Sequence, residues 1–290
     1  MLFDLIVSQG RIGDRSERTL EGAARTAQAL EQRYGVVART IGQAAPSAHD
    51  DWSVSLPQAR DTLIHLGEAI ATSIDGPNLS VMIANTCSAS LATLPIVARR
   101  YPEAVILWVD AHGDFNTPDT TDTGYLGGMV LAGACGLWNS GHGGDLAPSQ
   151  IIVVGARDVD AAEGELLSVS GVRVIAPEDA SPASVLDAIG KAPVWIHVDW
   201  DAMEPGHIPA DYKVPGGLLP AQLREIFAAI PGDRLLGFEI AEFHPSTNEQ
   251  HNQAALATAL EIIAPLIEMS PQNVSKRGNG IHPSCPYSSQ

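Results

Sequence analysis

Short apolar runs recur along the chain, separated by longer segments in which apolar and polar residues follow helical spacing. Short apolar runs bounded by turn-forming residues are typical of strands buried on both faces of a parallel sheet. The runs predict strands at residues 2–7, 36–40, 79–84, 104–109, 151–154, 172–175, 194–198 and 235–239. The intervening segments predict helices at residues 21–34, 56–74, 90–101, 163–169, 182–189, 220–230 and 250–269, and a further apolar segment covers 129–137. This alternation predicts an α/β protein with a largely parallel sheet of about eight strands.

No internal repeat and no break in composition divides residues 1–270, so we predict one domain over that range. After Pro271 the chain is polar and rich in Ser, Pro, Asn and Gly. Such a composition buries little apolar surface, so residues 271–290 are predicted to form a poorly ordered tail.

The acidic balance of the chain restricts its partners. The formal net charge is -17 and the pI is near 4.7. A strongly negative protein repels nucleic acid and anionic membrane surfaces, so neither is an expected partner. A cationic small molecule fits this field better, although an acidic surface can also serve solubility alone.

The sequence also bears on location. We find no apolar run long enough to span a membrane and no basic segment followed by an apolar one at the N-terminus, which favours the cytoplasm. The cysteines Cys87, Cys135 and Cys285 are odd in number and irregularly spaced, so they do not suggest a disulfide framework.

The strongest chemical signal directly follows the predicted strand 104–109. Asp110, His112 and Asp114 come at the strand's carboxyl end, where ligands bind in open α/β sheets. In extended backbone the i, i+2, i+4 spacing directs all three side chains to one side. Two carboxylates and an imidazole in that arrangement indicate a metal site. A turn without metal is the alternative, since Asp and Asn are common after strands.

A second acidic pair follows the predicted strand 194–198. Asp199 and Asp201 again have i, i+2 spacing. Strands of one sheet can deliver their acids to a shared site, and four carboxylates converge only if positive charge compensates them. Two divalent ions would supply that charge.

Together, Asp-Ala-His-Gly-Asp at residues 110–114 and Asp-Trp-Asp at residues 199–201 resemble the motifs of the arginase, agmatinase and formiminoglutamase family of binuclear manganese ureohydrolases. The resemblance covers roughly residues 79–245 and implies a three-layer α/β/α sandwich with a mostly parallel eight-stranded sheet and two Mn²⁺ ions. It implies that Asp110 and Asp199 bridge both ions, that Asp114 completes one, and that His112 and Asp201 complete the other. Family members commonly form trimers or hexamers, so a homo-oligomer is possible, although nothing in this sequence fixes it.

The resemblance also assigns contacts to a cationic guanidino substrate. Asp160 would face its α-ammonium group and Glu242 would hold the guanidinium, while Asn116 and Thr123 would lie near its carboxylate. Asp201 and Glu242 would be the catalytic residues, with Asp201 orienting or taking a proton. A purely structural role as turn or cap is the alternative for these four contact residues.

Three positions depart from the family pattern. Cys87 stands where the family has a histidine ligand, and its thiolate would be a softer, weaker match for Mn²⁺. Cys87 could instead be a small buried residue. Gly127 replaces a histidine thought to shuttle protons, with His142 and His207 as conceivable substitutes. Tyr125, beside Thr123, stands where the family usually has a polar loop residue, so the distal contacts of the substrate would differ.

Together these departures suggest a guanidine derivative that is easier to hydrolyse than arginine. Cysteine at this ligand position resembles the hydroxyarginine-hydrolysing branch of the family, which serves antibiotic biosynthesis of the cycloserine type. The leading hypothesis is attack of a metal-activated water on the guanidino carbon of N-hydroxy-L-arginine, giving L-ornithine and hydroxyurea. One alternative is an ordinary arginase or another ureohydrolase with an unusual ligand. A second makes Cys87 a covalent nucleophile with a nearby histidine as base. A third is a non-catalytic relative that has lost one metal.

Overall fold

A single sheet of eight parallel strands forms the centre of the computed structural model, which describes residues 3–268. The strands are β1 (Phe3–Ser8), β2 (Arg39–Ile41), β3 (Leu79–Ile83), β4 (Val105–Val109), β5 (Ile151–Val154), β6 (Arg173–Ile175), β7 (Val194–Asp199) and β8 (Leu235–Ala241). They lie in the order β2-β1-β3-β8-β7-β4-β5-β6, and every pairing between them is parallel. The predicted α/β fold is confirmed, and the sheet is wholly rather than mostly parallel.

Helices connect successive strands, as parallel pairing requires. They are α1 (Glu17–Tyr34), α2 (Trp52–Ile74), α3 (Ser90–Arg100), α4 (Val130–Ala134), α5 (Ala161–Ser170), α6 (Pro182–Ile189), α7 (Pro220–Ala229) and α8 (Glu249–Glu268). The predicted end of the last helix at Met269, the tail at 271–290 and Cys285 lie outside the described residues. No helix within residues 3–268 is long and apolar enough to cross a membrane.

The predicted start of the second helix was wrong. The apolar pattern predicts a start at residue 56, but α2 begins at Trp52 and contains Pro57. The backbone N–H of Ser53 donates to Asp51 Oδ1 at 2.9 Å, so Asp51 is the N-cap. The capping carboxylate therefore sets the boundary, and the proline follows within the N-terminal part of the helix.

Alternate residues of the strands enter two separate hydrophobic cores. In β4, Leu107 and Val109 belong to the core beneath α1, α6, α7 and α8, whereas Ile106 and Trp108 belong to the core beneath α2, α3 and α4. Because both faces of the sheet are covered, the strands are apolar throughout. The result is the expected three-layer sandwich.

The central strands bring four loops to one edge of the sheet. β3, β8, β7 and β4 are consecutive neighbours, and their last residues are in register, with Val109 opposite Val198 and Asp199 opposite Ala241. Asp199 is the last residue of β7, and the loops that follow β3, β4 and β8 carry Cys87, Asp110 and Glu242. Parallel topology therefore places the candidate residues together.

Candidate metal and substrate site

A cavity of about 240 Å³ opens at this carboxyl edge. The predicted site residues that line it are Cys87, His112, Asp114, Asn116, Thr123, Asp160, Asp199, Asp201 and Glu242. Asp110 is fully buried next to these residues, with its Oδ1 3.2 Å from His112 Nδ1. The structure thus brings all ten residues into one region.

The loop after β4 turns sharply rather than continuing as extended backbone. The carboxylate Oδ1 of Asp110 accepts from the backbone N–H of His112 at 2.8 Å, and Asp114 has a left-handed φ of 47°. The Asp110 side chain therefore stabilises a turn. The extended backbone that the i, i+2, i+4 spacing predicted does not form. His112 Nδ1 consequently lies 3.2 Å from Asp110 Oδ1 and 3.1 Å from Asp201 Oδ2.

The loop after β7 repeats the same turn. Asp199 Oδ1 accepts from the backbone N–H of Asp201 at 2.7 Å. Asp201 Oδ1 in turn accepts from the backbone N–H of Ala111 at 3.1 Å, which ties this loop to the one after β4. The two acidic motifs are therefore held as one unit.

Cys87 begins a short 3-10 turn after β3 and is 3% exposed. Its Sγ lies 3.1 Å from Asp199 Oδ2 and 4.0 Å from Asp110 Oδ2. Its backbone N–H donates to Glu242 Oε1 at 3.2 Å. The cysteine thus faces the carboxylates.

The sequence alone did not identify His197, whose Nε2 lies 3.3 Å from Cys87 Sγ. The available signal was its position two residues before Asp199 in the same strand, which places both side chains on one face of the sheet. It also missed Arg157, whose guanidinium donates to the backbone carbonyls of Asp201 at 2.9 Å and Val214 at 2.7 Å. Nothing in the sequence distinguishes that arginine from a surface one.

The buried acids oppose one another electrostatically. Burial, reinforced by neighbouring carboxylates, raises the pKa of each of Asp114, Asp199, Asp201 and Glu242. Burial and the charge of Asp199 likewise raise the pKa of the Cys87 thiol. The pKa of Asp110 is lowered despite its burial, because His112 hydrogen-bonds it. The pKa of His112 is raised, since hydrogen bonds to Asp110 and Asp201 outweigh its burial.

These features fit divalent metal ions. Three groups of ligand-type atoms are close enough to share an ion: Cys87 with Asp110 and His197, Cys87 with Asp199 and Glu242, and Asp110 with His112 and Asp201. Asp114 Oδ2 is buried and has no hydrogen-bond partner within residues 3–268. A buried carboxylate oxygen normally has a partner, and a cation would supply one here.

The residues predicted to contact the substrate include a helix cap, a residue exposed at the rim and a half-buried acid. Asp160 caps α5, accepting from the backbone N–H of Glu163 at 2.8 Å, and its other oxygen lies 3.3 Å from Asn116 Nδ2. Asp160 is therefore a helix cap, which was the alternative role, and it also lines the cavity. Thr123 is exposed at the rim, and Glu242 adopts a left-handed φ of 61° that aims it into the cavity.

Tyr125 occupies the space beside Gly127. A Cβ at position 127 would clash with the Tyr125 ring. The Tyr125 hydroxyl donates to Glu242 Oε1 at 3.2 Å. Neither conceivable substitute histidine lines the cavity: His142 belongs to a separate depression beside Leu91 and Arg99, and His207 is exposed.

The fold and site together define an α/β protein with a carboxylate-rich centre suited to divalent ions. Comparison with known proteins makes the class specific: the Arginase family model matches residues 19–266, and the chain belongs to that family. The resemblance stated from the motifs is thereby confirmed. The family is one of binuclear metal-dependent hydrolases of carbon–nitrogen bonds, and the chain is an enzyme of that type.

Individual relatives agree. The N(omega)-hydroxy-L-arginine amidinohydrolase of Streptomyces lavendulae is 58% identical over 267 residues, which cover 92% of this chain and 98% of that protein. The arginase of Entamoeba histolytica, solved in complex with L-ornithine, superposes with a TM-score of 0.79 at 24% identity, covering 92% of this chain and 99% of that one. The arginase of Bacillus subtilis gives 0.77 at 21% identity, covering 91% and 98%.

Proposed function

We propose that this enzyme hydrolyses N-hydroxy-L-arginine to L-ornithine and hydroxyurea with two Mn²⁺ ions. The observation that carries the proposal is the 58% identity, over nearly the whole of both chains, to an N(omega)-hydroxy-L-arginine amidinohydrolase. The acidic cavity supports it, because it suits a guanidino compound better than an anionic one.

In this proposal the metal ligands are those expected from the motifs. Asp110 and Asp199 would serve both ions, Asp114 and Cys87 one, and His112 and Asp201 the other. The ions, when bound, supply Lewis acidity and activate a water for attack. The unpartnered oxygen of Asp114 and the two linked acidic loops support this assignment.

The remaining residues bind and orient the substrate. Glu242 would accept hydrogen bonds from the guanidine, while Asn116, Thr123 and Asp160 would hold the amino-acid end at the rim. Water oxygen adds to the guanidino carbon, and the bond from that carbon to the ornithine nitrogen breaks. The water's protons pass to the departing amine, and Asp201 would hold or orient a proton during that transfer. Its oxygens already face His112 and the Ala111 N–H.

The discriminating experiment compares turnover of N-hydroxy-L-arginine with turnover of L-arginine under defined Mn²⁺. We expect clear preference for the hydroxylated substrate, with ornithine and hydroxyurea in equal amounts. Equal rates on both would support an ordinary arginase, and agmatine or formiminoglutamate in the panel would reveal another ureohydrolase. No turnover on any of them, with at most one ion bound per chain, would support a non-catalytic relative.

One observation favours a second mechanism on the same substrate. Cys87 Sγ, His197 and Glu239 form a consecutive set, with 3.3 Å between Sγ and Nε2 and 3.1 Å between Nδ1 and the carboxylate. This order resembles a thiol nucleophile with a general base. Burial and neighbouring acids raise the pKa of the Cys87 thiol, however, which opposes a reactive thiolate. Activity abolished by a chelator but retained by Cys87→Ser with excess Mn²⁺ would exclude the covalent route.

A further inference from the structure

His197 and Glu239 form a polar pair at the centre of the sheet. The proposed mechanism does not use this pair. Both side chains are fully buried on adjacent strands, β7 and β8. The imidazole stacks on Trp108 with ring centroids 3.5 Å apart. Groups of this kind are expensive to bury, so their retention requires a partner or a role.

The hydrogen-bond network fixes which ring nitrogen carries a proton. Ser90 Oγ donates its only proton to Glu239 Oε1 at 2.6 Å, and Thr93 Oγ1 donates to Oε2 at 2.7 Å. His197 Nδ1 lies 3.1 Å from Glu239 Oε1 and 3.2 Å from Ser90 Oγ, both of which can only accept from it. Nδ1 therefore bears hydrogen, so Nε2, which faces Cys87, is the ring nitrogen whose lone pair can bind a cation.

That lone pair points at the candidate metal centre. Nε2 lies 3.3 Å from Cys87 Sγ, and Cys87 Sγ lies 3.1 Å from Asp199 Oδ2. A sulfur and a nitrogen held by one ion at about 2.3 Å and 2.1 Å are about 3.1 Å apart at a right angle and about 3.6 Å apart in a tetrahedron. The observed separation lies between these two limits.

We propose that His197 Nε2 is a direct ligand of the ion held by Cys87 and Asp110, the two residues with which it shares one group of ligand-type atoms. Without an ion the Cys87 thiol can donate to Nε2, and when an ion takes up the thiolate the same Nε2 lone pair faces that ion. The Nδ1 contact with Glu239 then corresponds to the carboxylate–histidine–metal arrangement that orients ligating histidines. The inference rests on the proposed two-metal centre, and adds to it a residue from the strand itself.

The donor set has a consequence for metal preference. The ion at this position would have a thiolate and an imidazole, whereas the ion near His112 and Asp201 would have one imidazole and carboxylates. Softer donors favour Co²⁺ or Zn²⁺ over Mn²⁺. The two positions of one molecule should therefore differ in preference.

The test uses the full-length protein loaded with Mn²⁺ after substitution of the other candidate histidine. His112 and His197 are the histidines in the metal-type groups found within residues 3–268. In His112→Ala, we expect one Mn²⁺ to remain, and pulsed EPR to show a directly coordinated ¹⁴N. The double variant His112→Ala/His197→Gln should lose that nitrogen coupling.

A second measurement does not depend on the double variant folding. Glu239→Gln retains the imidazole but weakens its orientation, and should lower Co²⁺ affinity at one of the two positions about 10- to 100-fold. The thiolate-to-cobalt absorption band, identified by its absence in Cys87→Ser, reports which position is affected.

An ion bound to His112→Ala without nitrogen coupling would overturn the proposal and leave His197 as a hydrogen-bond partner of Cys87. If His112→Ala binds no ion, the metal affinities of wild type and His197→Gln are compared instead. The proposal would also be overturned if both proteins bound two ions equally tightly. These readouts do not require turnover. Failure of the substrate proposal, seen as no activity on hydroxyarginine, is therefore distinguishable from failure of this one.

Discussion

At the scale of single residues, Tyr125 determines which hydrogen bonds the Glu242 carboxylate can still accept inside the cavity. Its hydroxyl contacts Glu242, and its ring is held by Arg15, whose guanidinium lies 4.7 Å from the ring centroid. The ring also fills the space left by Gly127. Tyr125 is thus a fixed group beside the proposed guanidine-binding carboxylate.

We predict that Tyr125→Phe reduces kcat/KM for N-hydroxy-L-arginine about three- to tenfold and changes it little for L-arginine. The range corresponds to loss of one hydrogen bond of about 0.5–1.5 kcal/mol. Steady-state kinetics on both substrates measure the ratio. Because Phe keeps the ring over Gly127, the variant serves as its own packing control, and an equal loss on both substrates would contradict a role in selectivity.

The sequence alone identified the candidate metal-binding and substrate-binding residues at the strand ends. The structure brings all of them into one region, and their individual roles stay predictions. It did not identify His197 or the contact between Tyr125 and Glu242. His197 lies inside an apolar strand, where alternation shows only the face it occupies. Tyr125 and Glu242 come from loops far apart in the chain, and only the folded sheet brings them together.

At the scale of elements, α5 carries a buried acid in its first turn. Glu163 is 4% exposed, its Oε1 accepts from the backbone N–H of Phe115 at 2.8 Å, and burial raises its pKa from 4.5 to about 7. A raised pKa in the folded state means that stability is complete below the ordinary pKa and is lost as pH rises through the folded value.

We therefore predict that Glu163→Gln, studied without divalent ions, leaves stability unchanged near pH 4.5 and increases it by up to about 3 kcal/mol at pH 8. Gln keeps the acceptor for Phe115 while removing the buried charge. Denaturant unfolding at the two pH values tests this. A gain of the same size at both values would contradict a titration effect and indicate a packing effect.

Arg157 connects the two acidic loops through backbone groups. Its backbone N–H donates to the carbonyl of Ala111 at 2.8 Å, and its guanidinium contacts the carbonyls of Gly155, Asp201, Ala202 and Val214. Only a planar fork with several donors can satisfy so many acceptors at once.

We predict that Arg157→Lys destabilises the protein by about 1–3 kcal/mol and weakens metal binding about tenfold, because carbonyls lose their donors and the Asp201 loop loosens. Thermal unfolding and metal titration measure the two effects. Arg173→Lys is the matched control, since Arg173 makes an exposed ion pair with Asp187 and should change stability by less than about 1 kcal/mol. Equal effects of both substitutions would contradict the special role of Arg157.

The elements were predictable where hydrophobic burial determines them. Each predicted strand overlaps an observed one, because a sheet covered on both faces needs continuous apolar residues. The exceptions in extent are β2, which begins only at Arg39, and the apolar segment 129–137, which contains helix α4. Prediction failed where local hydrogen bonds compete with periodicity. The Asp51 cap starts α2 earlier than the periodicity predicts, and the Asp110 carboxylate stabilises a turn in the loop after β4.

At the scale of the whole molecule, folding concentrates negative charge that is already in excess. The chain carries a net charge of -17, and the sheet edge gathers buried carboxyl groups whose pKa values burial raises, Asp114, Asp199 and Glu242 among them. Folding without cations therefore retains protons at this edge. Cations that bind there must displace those protons.

We predict that, without divalent ions, the Tm falls as pH rises from about 5 to about 8. Carboxyl groups with raised pKa contribute stability that is lost as pH rises through their folded values. His112, whose pKa the Asp110 and Asp201 contacts raise, adds to this slope above about pH 6.5, since the unfolded chain then releases the proton that the folded one keeps. Asp110, with a lowered pKa, has its full effect throughout this range and adds no slope.

Divalent ions should reverse the dependence, because they bind the ionised carboxylates. A free ion concentration of 100 times Kd stabilises by about 2.7 kcal/mol, and Kd itself falls as pH rises. Scanning calorimetry with and without Mn²⁺ should thus show a larger gain in Tm at pH 8 than at pH 5, with protons released on binding at the lower pH. NaCl at matched ionic strength is the control, because it screens the net charge without occupying the site. A gain in Tm that is equal at all pH values would mean that the ions act on the acidic surface as a whole rather than on the buried carboxylates at the sheet edge.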